Sequence, residues 1–133
     1  MKRFVTFCLT MMLGQAAGSA LAADKAFESN YARARKNVAA RAGATYDYKL
    51  GTAMQASADF QQRFKDCIKR YPGKQEVHGY FSFSSATRYT VVLEPRSAYS
   101  GCLTHAMEGH RVPPPPGVPY LNPFELSASP AGK

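Results

Sequence analysis

Glu76-Val77-His78-Gly79-Tyr80-Phe81-Ser82-Phe83-Ser84, followed after a short polar break by Tyr89-Thr90-Val91-Val92-Leu93-Glu94, is the stretch that decides the fold. Val77, Phe81 and Phe83 point one way along it, and His78, Tyr80 and Ser82 point the other, which is the period-2 alternation of a strand. Ser84-Ser85-Ala86-Thr87 supplies a polar turn and Pro95 a stop, so residues 76 to 94 read as an antiparallel hairpin.

Outward on the N-terminal side the period is 3.6. Phe60, Phe64, Cys67, Ile68 and Tyr71 share one face of a helix from Ser57 to Tyr71, capped by Ser57 or Asp59 and stopped by Pro72-Gly73. Before it, residues 42 to 51 carry two glycines and read as a linker. Residues 24 to 41 read as an alanine-rich helix with Asp24 at its N-cap and Phe27, Tyr31, Ala34 and Val38 in one apolar stripe.

On the C-terminal side Ser97 or Ser100 opens a third helix that runs to about Gly109. Pro113 to Pro116 then impose an extended connection. Val118 to Leu126 reads as a last strand whose prolines demand an edge position or a bulge. The expected class is α+β in two layers: a small antiparallel sheet, hairpin plus C-terminal strand, packed on helices lying on one face, with an extra N-terminal helix.

The first residues place the chain in a compartment. Lys2 and Arg3 precede an apolar run from Phe4 to Leu13, and Ala20-Leu21-Ala22 forms an A-x-A site, the pattern of a secretory signal peptide over residues 1 to 22. The alternative is a retained anchor. The organisation expected is thus a signal peptide (1–22), an N-terminal helix and linker (23–56), an α+β domain (57–126) and a disordered tail (127–133). Cleavage leaves Cys67 and Cys102, an even pair that reads as one disulfide in an oxidising compartment. Net charge is +8, but only Arg33, Arg35, Lys36 and Arg41 cluster, which fits a solvated helix face better than a binding patch for nucleic acid, anionic lipid or acidic glycans.

His105-Ala106-Met107-Glu108-Gly109-His110 is one residue longer than the H-x-x-E-H zinc pattern. Residues five apart on a helix lie about 140° apart, so His105 and Glu108 diverge from His110, and Met107 belongs to the core face with Tyr99 and Leu103. His110 reads as a helix-end residue bonded to terminal carbonyls. No serine sits in G-x-S-x-G, and nothing pairs Glu94, Glu108 or Glu125. The expectation is no catalytic set, no metal and no cofactor, with Pro113 to Pro116 as a rigid spacer. Tyr80, Tyr120 and Phe124 are the candidate binding residues.

Residues 60 to 126 resemble the C-terminal domain of TonB-type energy transducers in its disulfide-bearing form from small exported bacterial proteins. The resemblance is carried by Cys67 ahead of the hairpin, Cys102 opening the next helix in SGCLTHAM, RVPPPPG before the closing strand, Pro123-Phe124 near its end, and AGATYD upstream. It implies a periplasmic module that accepts a partner's extended segment along a sheet edge. The permanent membrane helix and long proline-rich spacer of a transducer are not part of a cleaved chain. The expected function is a non-catalytic exported binding or scaffolding module whose partner is another envelope protein. The alternative is a small inhibitor or immunity protein against an envelope-targeting enzyme.

Overall fold

A computed structural model describes residues 16 to 73 and 75 to 128. The elements run α1 (Ala16–Ala39), α2 (Arg41–Ala56), α3 (Ala58–Arg70), β1 (Gln75–Phe83), β2 (Tyr89–Glu94), α4 (Ala98–Met107) and β3 (Tyr120–Ala128). The strands form one antiparallel sheet in the order β2-β1-β3. The class is α+β, with the hairpin where the alternation predicts it and the proline-bearing strand at an edge.

One face of the sheet presents Val77, Phe81, Phe83, Val91 and Leu93 to Leu50 and Met54 of α2, Cys67 of α3, and Leu103 and Met107 of α4; these form the main core. The other face presents Tyr80, with Val92 and Leu121 beside it, to Phe27, Tyr31 and Ala34 of α1. The helices therefore do not all lie on one face. Tyr80, Val92 and Leu121 make the second face too apolar to leave in water, and the α1 stripe covers it.

Local chemistry fixes the ends. Ser57 caps α3 by accepting from the Phe60 N–H at 3.2 Å. Ser97 and Ser100 form a reciprocal capping box at α4. Cys67 and Cys102 are joined, their Cα atoms 5.8 Å apart, so one disulfide ties α3 to α4.

Three expectations need correction. Residues 42 to 51 are not a linker but the first part of α2, because Tyr46, Leu50 and Met54 recur at helical spacing and are all buried. The glycine at 43 serves contact instead of a turn: a Cβ there would lie 1.9 Å from the Asn37 carbonyl oxygen, so glycine lets α2 approach α1. Asp24 lies inside α1 rather than at its cap. Ser127 and Ala128, assigned to the tail, continue β3 opposite Glu76 and Gln75, while residues 129 to 133 lie outside the described residues. The signal-peptide reading rests mainly on residues 1 to 15, also outside them. Among the described residues no helix is long and apolar enough to cross a membrane.

Candidate binding groove

A small sheet offers two edges for strand addition, and here both carry plugs. On β2 the Val91 N–H is taken by Glu108 Oε1 at 3.0 Å. On β3 the Leu121 carbonyl accepts from Asn37 Nδ2 of α1 at 2.9 Å. Backbone groups alternate sides along a strand, so Pro123 shares that outer edge. It has no N–H to offer, and its carbonyl accepts from Asn122 Nδ2 at 3.2 Å. Such blocks protect an edge from pairing.

The concave surface lies beside that edge instead. Helices α2 and α3 and strand β3 enclose a cavity of about 450 Å³ floored by Leu50, Met54, Phe60, Phe64 and Phe124, a size that suits small ligands or a few side chains. Phe60 and Phe64 pack at 5.1 Å between ring centroids along the α3 wall. Asp47, Lys65 and Glu125 stand at the mouth.

One polar group in this groove is incompletely satisfied. Asn122 is 1 % exposed. Its Nδ2 donates to Asp47 Oδ1 at 2.8 Å and to the Pro123 carbonyl, both pure acceptors, which fixes the orientation of the amide. Its Oδ1 is buried without a donor among the described residues. A buried acceptor left without a donor costs roughly 1–3 kcal/mol, so this amide is a polar weak point in the β3 wall of the groove.

The candidate binding residues part company. Phe124 lines the groove and packs edge-on against Phe81 at 6.3 Å. Tyr120 is half-buried against Tyr46, and burial together with the Asp47 charge raises its phenol pKa. Tyr80 is buried beneath α1, 5.6 Å from the Phe27 ring, and its hydroxyl accepts from Asn30 Nδ2, so it belongs to the second core and not to a free surface. Asn122 and Asp47 were not singled out from the sequence. The signal was there: along Tyr120, Asn122, Phe124 and Leu126, one face of β3, asparagine is the polar exception.

The HAMEGH stretch resolves into separate structural duties. His105 is exposed on α4. Glu108 holds β2, and His110 Nε2 meets the Ala106 carbonyl at 2.7 Å. Tyr46 donates to the Pro113 carbonyl at 2.8 Å, anchoring the start of the proline spacer on α2; burial raises its pKa. Tyr31 on α1 donates to Glu125, and burial followed by that bond pushes its pKa up to about 12.

Comparison with known proteins returns no match to a family model, a curated protein or a solved structure.

Proposed function

We propose that this chain is a non-catalytic binding module of the periplasm or the extracellular space, receiving an apolar segment of another envelope protein in the groove between α2, α3 and β3. The observation that supports this reading is the apolar groove itself, with Phe60 and Phe64 of α3 and Phe124 of β3 on its lining. A peptide that carries apolar side chains would bury them against these rings. The Cys67–Cys102 bridge fits an oxidising compartment. The resemblance of residues 60 to 126 to the TonB-type C-terminal module suggests a partner's segment at a sheet edge; with the β3 edge plugged, docking moves to the groove beside it.

The test is capture from a periplasmic extract by the wild-type protein and by Phe64→Glu, with both melting temperatures recorded. Recovery of a defined envelope protein by wild type and its loss in a folded Phe64→Glu variant is the expected result. The same proteins on both baits would overturn the reading. A single captured enzyme that loses activity in the complex would assign the inhibitor role instead of the scaffold.

A further inference from the structure

A second concave site, unrelated to the groove, lies where the hairpin turn meets the segment leaving α4. Arg88 and Arg111 line the same cavity of about 660 Å³, together with Ser84, Thr87 and Thr90, and that volume falls in the range of small-molecule pockets. Among the described residues no Asp or Glu lines it. Neither guanidinium has an ion-pair partner among the described residues, whereas Arg63 and Arg96 pair with Asp59 and Glu94. Glu108, the carboxylate closest in sequence to Arg111, is engaged by the Val91 N–H.

The two arginines are held by a stitched frame. The Tyr89 hydroxyl donates to the Met107 carbonyl at 2.7 Å and accepts from the His110 N–H at 3.2 Å, so the residues next to Arg88 and Arg111 are bonded to each other. Ser85 Oγ accepts from the N–H groups of Thr87 and Arg88 at 3.3 and 3.0 Å and fixes the hairpin turn. Gly109, at φ +79°, turns the chain out of α4 in a conformation that favours glycine. The backbone that positions both arginines is thus pre-set, which lowers the ordering cost of binding.

We propose that this pocket binds a phosphate group carried on a small organic molecule or a lipid headgroup. Two planar guanidinium forks supply more donors than the two oxygens of a carboxylate use, and match the several oxygens of a phosphate. The cavity far exceeds a bare ion, so it has room for the group that bears the phosphate.

The experiment is titration calorimetry of the purified protein at low ionic strength with inorganic phosphate and with glycerol 3-phosphate, alongside flotation with phosphatidylglycerol or phosphatidylcholine vesicles. Arg88→Ala, Arg111→Ala and their double variant are compared with Arg33→Ala/Arg70→Ala, which removes the same charge from exposed positions elsewhere. Expected is saturable binding that each pocket substitution weakens roughly tenfold or more and the control pair leaves intact. Binding of glycerol 3-phosphate assigns a soluble ester; binding of phosphatidylglycerol vesicles alone assigns a headgroup. No binding by any probe, or equal loss in the control pair, overturns the proposal.

Discussion

Asn122 Nδ2 donates to Asp47 Oδ1 at 2.8 Å, joining the first part of β3 to a turn of α2 that lies 75 residues earlier in the chain. The bond sets the width of the groove, since it fixes one wall against the other. Asp47→Ala leaves that amide nitrogen with the Pro123 carbonyl alone and is expected to cost about 1–2 kcal/mol in urea unfolding. Asn122→Asp buries a second carboxylate facing Asp47, where the protonated form is favoured. A folded-state pKa raised above the unfolded value keeps stability at low pH and loses it as pH rises. The deficit of Asn122→Asp against wild type should therefore be larger at pH 7 than at pH 4, and equal deficits at both would show that charge is not the cause.

Ala34 has no exposed surface and sits where α1 crosses Tyr80, Val92 and Leu121. Ala34→Glu places a charge against an apolar face, and the expected consequence is release of α1 while the main core persists. Arg33, Arg35 and Lys36 would then become rapid trypsin sites, with the disulfide-linked remainder protected. If cleavage there stays as slow as in wild type, α1 does not depend on this contact.

Much of this architecture was legible because pattern and packing agree. The alternation at Val77, Phe81 and Phe83, the stop at Pro72-Gly73 and the serine caps are local signals that tertiary contacts reinforce. The α2 segment was not legible, because Gly43 and Gly51 look like breakers until Tyr46, Leu50 and Met54 find a core to fill. The place of Tyr80 was missed for a related reason. Alternation says that it faces away from Phe81 but cannot say that a helix covers it there. The groove depends on Asp47 meeting Asn122, a long-range pairing with no periodic signature.

The bridge between Cys67 and Cys102 closes a loop of sequence separation 35 that contains the whole hairpin. Reduction, or the Cys67→Ala/Cys102→Ala pair, should lower stability by roughly 4 kcal/mol on the loop-entropy account. The measurement is the guanidinium midpoint with and without reductant. An unchanged midpoint would mean that α3 and α4 hold together by Leu103, Ile68 and Tyr71 packing alone.

Gly79 lies at the centre of β1, where a Cβ would stand 1.8 Å from the Val92 carbonyl oxygen and 3.0 Å from the Leu93 Cα, both backbone. Backbone cannot rotate aside, so Gly79→Ala must push β2 from β1. A loss of about 3 kcal/mol is expected, at the upper end for overpacking. The same substitution at Gly101, where nothing lies within 4 Å, should leave the melting temperature near wild type or raise it, since alanine is the better helix former. Comparable losses at both sites would refute the steric account.

Alkaline pH tests the buried tyrosines together. Burial raises the pKa of Tyr46, Tyr89, Tyr99 and Tyr120, and of Tyr31, whose bond to Glu125 adds to it. In the unfolded chain these phenols titrate near 10, so above that pH the unfolded state releases protons that the folded state retains. Stability is then full below pH 10 and falls as pH rises towards the folded-state values, by about 1.4 kcal/mol per pH unit for each phenol held fully neutral. Ultraviolet titration is expected to show a group of phenolates that appears only with loss of near-ultraviolet circular dichroism. Smooth ionisation of all eight tyrosines around pH 10 with the fold intact would rule out the buried phenol network.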